Sequence, residues 1–513
     1  MTINILDYLD RAAARVPNKM AFADVNNSIT YSLLQEYGKK IGTHISGTTG
    51  QLRKPIVVFV DRNIECLVDF IGVAYSGNFY VPIDKQMPAD RIKLILETLQ
   101  PVAIINTPDA KDFAAKVAPE IVEFDYKEIT ISGIIDEEAL AHIRRQIIDT
   151  DPVYATFTSG STGIPKGVIT CHRSVVDMTD NLTETFNFNE CHVFGNQNPF
   201  YFDASIKDIY SSLSCGATMH VLPKSHFLML GSLVDYMVAH KVDTILWSAA
   251  AIALLANSKA FEDKQPKYLK NVMFSGEVMH NKVLNYWRKH LPETRFVNLY
   301  GPTEITSVTT YFIIDRPFED TEVLPIGIPF RNSQVLILNE NNKAVEGQEM
   351  GELCVRGCCL SMGYYNNEEK TAAAFTQNPL NSHYPETIYR TGDLAYWNDE
   401  GQVMFVSRKD NQVKHMGQRV ELGEIEILMN AMDDIDASIC FYDHDLAKIV
   451  SIYQGKEATD KYIYGNLRKK VSKFMFPNIL IKLEDLPYNL NGKIDRAELK
   501  KRYQAGAYAT DKK

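Results

Sequence analysis

Long apolar runs are missing from this 513-residue chain. None approaches the roughly 20 consecutive residues that carry a helix across a bilayer, so the sequence gives no reason to expect an integral helical membrane protein. The first residues, Met1 to Arg15, also lack the basic and then apolar order of a signal peptide. Cysteine is sparse. The eight residues are scattered except for Cys354, Cys358 and Cys359, with neither the spacing of a zinc site nor the density of a disulfide scaffold. The expectation is a cytoplasmic protein whose thiols are reduced and mostly packed. No internal repeat and no low-complexity tract interrupts the chain. Positive charge is also short: 54 basic residues against 64 acidic ones leave a net charge of −10. A general nucleic-acid binder needs clustered cations to displace counterions, so that class is disfavoured. The deficit is uneven, because residues 411–513 hold 17 basic and 15 acidic residues, a net +2, and the remainder carries −12.

A chain of this length exceeds one compact core, and two or more domains are expected. From about residue 55 to about 330, apolar strand-like runs such as Pro55-Ile56-Val57-Val58-Phe59-Val60 alternate with longer amphipathic segments, the pattern of strands and crossover helices in an α/β protein. Between about 334 and 406 the segments shorten and become strand-rich, as in Gln334-Val335-Leu336-Ile337-Leu338, which predicts a β-rich subdomain. The polar stretch Ser407-Arg408-Lys409-Asp410-Asn411 has no apolar periodicity and marks a boundary. The expected organisation is an N-terminal core, 1–409, of α/β subdomains plus the β-rich one, followed by a small α+β domain, 410–513.

Four motifs carry chemistry. After the strand-like Val153 to Phe157 comes Thr158-Ser159-Gly160-Ser161-Thr162-Gly163-Ile164-Pro165-Lys166-Gly167, glycines and hydroxyls closing on a lysine, with a helix expected from Ser174 to Asn181. Glycines let backbone approach a polyanion, hydroxyls and amides bond phosphate oxygens, and Lys166 adds a mobile charge. The spacing is not that of a Walker A loop. Asn298-Leu299-Tyr300-Gly301-Pro302-Thr303-Glu304 presents an aromatic, a hydroxyl and a carboxylate at a strand end, where α/β sheets bind ligands. Tyr389-Arg390-Thr391-Gly392-Asp393-Leu394 offers a carboxylate with several lone pairs. Near the C-terminus, Asn489-Leu490-Asn491-Gly492-Lys493-Ile494-Asp495-Arg496 sets a lysine on an Asn-Gly turn.

In this order, from about residue 10 to about 500, these strings resemble the adenylate-forming superfamily of acyl-CoA synthetases, luciferases and amino-acid adenylation domains. The resemblance implies a large N-terminal domain and a mobile lid with its hinge at Asp410, where Ser407 stands in place of the family's usual glycine. It implies ATP and Mg²⁺, with Thr158, Ser159, Gly160, Ser161, Thr162, Gly163 and Lys166 on the phosphates. Asn298 would bind ATP, Tyr300 would stack on adenine, Asp393 would accept hydrogen bonds from the ribose hydroxyls, and Arg408 would help hold the nucleotide. Thr303 would touch the α-phosphate, Glu304 would ligate the metal, and Lys493 would stabilise the transition state of acyl-adenylate formation. The lid would then turn, bringing the segment around Gly417 toward an incoming thiol.

Within that resemblance, Asp203 in Pro199-Phe200-Tyr201-Phe202-Asp203-Ala204-Ser205 selects an α-amino acid, because fatty-acyl and aryl enzymes have no use for a buried anion there. The competing reading makes Asp203 a helix N-cap. By the same resemblance Ala204, Lys207, Ala250, Met273 and Ser275 line the substrate pocket. Gly276, Leu299, Ser307 and Val308 complete it. Several strings look close to stand-alone D-alanine:carrier-protein ligases, yet a lysine at position 207 is not needed for alanine. It either pairs with an acidic side chain or points outward, so a small or an acidic amino acid is expected. The chain stops soon after Lys493 with no carrier domain, so a phosphopantetheinylated carrier protein is expected in trans, meeting the basic Arg468-Lys469-Lys470 and Lys473. The alternative is an acyl-CoA or aryl-CoA synthetase that uses free coenzyme A.

Overall fold

The computed structural model describes residues 2–106, 111–158, 165–409, 412–455, 457–487 and 494–508. By internal contacts these fall into one unit of residues 1–85, 98–157 and 167–409 and a second of residues 86–97, 158–166 and 410–513. Ser159 to Gly163, the proposed hinge residue Asp410 and the candidate catalytic Lys493 lie outside the described residues.

Two large sheets organise the chain up to residue 330, which is the α/β layering expected. In the first, the strands Met20–Ala23, Thr218–Val221, Val193–Asn196, Thr244–Ser248, Asn271–Ser275 and Arg295–Tyr300 run parallel side by side, with antiparallel strands at either edge. The second centres on Pro55–Val60, whose residues are buried without exception, as a continuous Val/Ile/Phe run in a parallel strand should be. Helix Glu65–Tyr75 is buried from Cys66 onward and meets helix Tyr31–Thr49 at glycines: a Cβ on Gly72 would lie 2.3 Å from Ile41 Cγ2.

The glycine-rich loop departs from expectation. Lys166–Cys171 is a strand of the second sheet, beside Pro152–Thr158, and the helix that follows is His172–Phe186. The loop thus joins strand to strand rather than strand to helix. The β-branched run Val168-Ile169-Thr170 explains the extra strand. The β-rich segment forms a sheet of Ser333–Leu338, Gly351–Gly357, Thr387–Trp397, Phe375–Gln377 and Val403–Arg408. Ser407 and Arg408, read from sequence as boundary, are the last residues of that final strand.

In the second unit the strands Ala437–Asp443, Lys448–Gln454 and Ile479–Leu483 form a three-stranded sheet with the helices Leu422–Asn430, Asp460–Lys470 and Arg496–Gln504. A separate hairpin, Gln412–His415 with Gln418–Glu421, turns at Met416 and Gly417, with φ of 54° and 78°. Positive φ at both central residues fits the tight turn whose twist suits a two-residue hairpin. Arg91 Nη1 pairs with Glu424 Oε1 at 2.6 Å, and both side chains are buried. No helix among the described residues is long and apolar enough to cross a membrane.

Candidate active site

The first unit assembles its site beyond the carboxyl ends of parallel strands, as open α/β sheets do. Register sets the layout: Ser248 pairs with Ser275 and Phe274 with Asn298, so the segments leaving these neighbouring strands emerge together. Asp203 lies in a short 3-10 turn, Asp203–Ser205, ahead of helix Ile206–Cys215. The N-cap of that helix is Ser205, whose hydroxyl donates to Phe202 O at 2.8 Å, so Asp203 is not the capping residue. The Asp203 charge reaches Tyr154, where it reinforces the upward shift that burial imposes on the phenol.

Lys207 does not point outward. It is 1% exposed and its Nζ donates to Ser275 Oγ at 2.8 Å. Next to it, Asp208 is fully buried and its carboxyl is pushed up to about 7, chiefly by loss of solvent, while Asn196 Nδ2 at 2.9 Å, Lys207 and Arg62 favour the charged form. Arg62, held on the carbonyls of Asn196 and Gln197, was not foreseen, and its guanidinium falls to about 10 through burial. Met273, Leu299 and Val308 are buried, while Ala204 and Ala250 are half-buried and small. Gly276 has a φ of 101° with open space where a Cβ would stand. Thr306 and Ser307 are both left-handed, at φ of 57° and 71°. Two consecutive non-glycine residues in that region mark stored strain, tied down here by Thr306 Oγ1 on Cys359 O at 2.8 Å. The turn is tight: a Cβ on Gly301 would meet Ser307 O at 2.7 Å and Val308 N at 2.8 Å.

The structure brings three of the nucleotide candidates together. Tyr300 donates its hydroxyl to Asp393 Oδ2, and Arg408 Nη1 donates to Asp393 Oδ1 at 2.7 Å. Burial first, and the Asp393 charge second, push the Tyr300 phenol far up, so it stays a donor. Asp393 is anchored by its own N–H on Thr391 Oγ1 at 3.0 Å. Below it, Glu352 takes Arg390 at 2.8 Å and Lys409 at 3.2 Å, an arrangement with no local sequence signal. Thr303 and Glu304 sit in the 3-10 turn Thr303–Ile305, both buried. Tyr364, another residue that sequence reasoning missed, donates to Glu304 Oε1 at 2.8 Å. Asn298, by contrast, spends an amide hydrogen on Pro325 O at 2.8 Å and serves the backbone.

In the second unit, Thr158 Oγ1 is buried and makes no hydrogen bond among the described residues. Lys166 Nζ stands 4.0 Å from Glu421 Oε1. Asp495 N donates to Pro487 O at 2.8 Å, and Arg496 grips both oxygens of Glu426.

The AMP-binding enzyme family matches residues 9–365. The chain belongs to that family. It is 31% identical to bacitracin synthase 1 of Bacillus licheniformis over 96% of this chain, which spans only 9% of that synthase. It is 28% identical to the D-alanine--D-alanyl carrier protein ligase of Lactiplantibacillus plantarum, over 96% of this chain and 98% of the ligase. Among solved structures, the Vibrio cholerae adenylation domain AlmE, in complex with glycyl-adenosine-5′-phosphate, superposes with a TM-score of 0.83 at 20% identity, covering 98% of both chains. At that identity the likeness concerns the fold.

Proposed function

We propose that this AMP-binding family member activates an amino acid with ATP, releasing pyrophosphate, and passes the aminoacyl group to the phosphopantetheine thiol of a separate carrier protein in the cytoplasm. The observation that carries the amino-acid reading is the position of Asp203 beyond the strand Val193–Asn196, in a turn where it does not cap the helix. A half-buried carboxylate there gives an α-ammonium its counter-ion. Whole-length similarity to a D-alanine carrier protein ligase supports the two-step reaction.

In the first half-reaction the substrate carboxylate attacks the α-phosphorus and pyrophosphate leaves. Asp393 with Arg408 holds the ribose side, Thr158 and Lys166 take phosphate oxygens, and Lys493 neutralises charge that grows in the transition state. Glu304 fits Mg²⁺: it is an oxygen donor, buried, and oriented by Tyr364, and this hard cation takes one or two carboxylates alongside substrate phosphates. When bound, the ion would offset phosphate charge. In the second half-reaction the carrier thiol attacks the adenylate carbonyl, AMP leaves, and a thioester forms.

Amino-acid-dependent exchange of labelled pyrophosphate into ATP tests this reading. We expect exchange with at least one small or acidic amino acid, and an aromatic control that is inert. Lys493→Ala should lower exchange about 100-fold or more, the scale of losing a transition-state charge donor. Absence of exchange with every amino acid, alongside thioester formation on free coenzyme A, would overturn the proposal.

A further inference from the structure

Strand Val193–Asn196 ends with Asn196 opposite Val221, its last register pair, and the chain then leaves the sheet for the turn that holds Asp203. Past that point the loop lies outside the ladder, and its carbonyls need other donors. Arg62 supplies them: Nη2 donates to Asn196 O at 2.9 Å, and Nη1 donates to Gln197 O. The guanidinium comes from the other large sheet, in the segment between strand Pro55–Val60 and helix Glu65–Tyr75. That segment is itself held in place. Asp61 pairs with Lys85 at 2.9 Å, Arg62 N donates to Asp61 Oδ1 at 2.8 Å, and Cys66 N donates to Asn63 Oδ1 at 3.2 Å. The same helix sets Phe70 edge-on against Phe200, with ring centroids 6.2 Å apart. On the far side of the loop, Asn198 Nδ2 donates to Leu246 O at 2.8 Å. The charge of Arg62 is answered within the protein by Asp208 and Asp61, so the loop draws on the shape of the fork and not on spare charge.

Resting on the amino-acid reading above, we infer that Arg62 is a positioning residue: by gripping two consecutive carbonyls it sets the course of residues 197–202 and so places the Asp203 carboxylate for the α-ammonium of the substrate. It works through the backbone, one rigid sheet steering a loop that leaves the other. A planar fork with fixed donors suits two neighbouring oxygens, whereas a lysine is a single point charge and directs them less firmly. Precision here matters, because a misplacement of about 1 Å can cost about 100-fold in rate.

Pyrophosphate exchange by Arg62→Lys and Arg62→Met, with glycine and the D and L isomers of alanine, aspartate and glutamate, tests this role against a purely structural one. For the amino acid that wild type prefers, we expect KM to rise at least about tenfold in Arg62→Met and by less in Arg62→Lys, with kcat and KM for ATP held within about twofold. Loss of a residue that only supports the fold lowers the melting temperature and the active fraction, which reduces kcat and leaves both KM values where they were. Thermal melts report whether Arg62→Met folds, and Arg62→Lys alone decides if it does not. In an Asp203→Asn background, Arg62→Lys should add little, because two residues acting through one carboxylate do not contribute independently. An unchanged amino-acid KM, an equal rise in KM for ATP, or full multiplication of the two effects in the double variant would overturn the inference and leave amino-acid activation standing. No exchange with any of these amino acids in the wild-type protein would instead remove the amino-acid reading, and this inference with it.

Discussion

Asp69 shows what a single buried charge does to this protein. It lies inside helix Glu65–Tyr75, fully buried, and neither carboxylate oxygen has a hydrogen-bond partner among the described residues. Burial, with a smaller push from Glu65, lifts its pKa well above the ordinary 3.8. A carboxyl that is harder to ionise when folded binds more protons in the native state across that interval. Its contribution to stability is therefore fully present below the unfolded pKa and is lost as pH rises from about 4 toward the raised value. Asp69→Ala should stabilise the protein by about 1–3 kcal/mol at pH 8, the cost of an unpaired buried polar group, and by less at pH 5. Urea denaturation of both proteins at the two pH values checks this, and a gain that is larger at pH 5 would contradict it. Nothing in the sequence singled out Asp69, because a helix buried on all sides has no polar face against which an acid looks misplaced. Asp203, Glu304 and Asp393 stood out for another reason: they sit in strings that resemble the motifs of the adenylate-forming superfamily. Tyr364, which donates to Glu304, was not legible, and neither were Arg62 and Glu352, since all three come from distant segments.

At the scale of elements, the chain alternates strand and helix much as its apolar pattern suggests, and the exceptions have local causes. The strand Lys166–Cys171 was missed because a glycine-rich phosphate loop suggests a helix next, although Val168-Ile169-Thr170 favoured extension. The left-handed pair Thr306-Ser307 had no sequence signal, since neither residue is a usual occupant of that region. What the glycines contribute is closeness. Helices Tyr31–Thr49 and Glu65–Tyr75 touch where a Cβ on Gly42 would lie 2.5 Å from Tyr75 Cβ and 3.2 Å from Gly72 O. One methyl group there must push two helices apart. Gly72→Ala should cost about 1–3 kcal/mol despite its better helix propensity, because overpacking outweighs the gain of up to about 1 kcal/mol from replacing glycine. A variant that melts at or above the wild-type temperature would show that the crossing can widen without penalty.

For the whole molecule, a division of labour follows from the placement of charge. The residues proposed for amino-acid selection and ribose binding belong to the acidic part of the chain, while residues 411–513 carry a net charge of +2. Helix Asp460–Lys470 ends in Arg468, Lys469 and Lys470, all exposed, with Lys473 just after. Carrier proteins are typically acidic, and complementary charge accelerates encounter more than it deepens affinity. If this face receives the carrier, the two half-reactions respond differently to the same change. Lys469→Glu combined with Lys470→Glu should leave pyrophosphate exchange unchanged, because neither side chain serves the adenylate. Thioester formation on the carrier should slow about tenfold at low salt, and the difference should shrink as ionic strength rises toward 0.15 M, where the screening length falls to about 8 Å. Equal loading rates for variant and wild type at low salt would assign these cations to an ordinary solvated helix end. A parallel loss of exchange and loading would instead mean that the substitutions disturb the unit that carries Lys493.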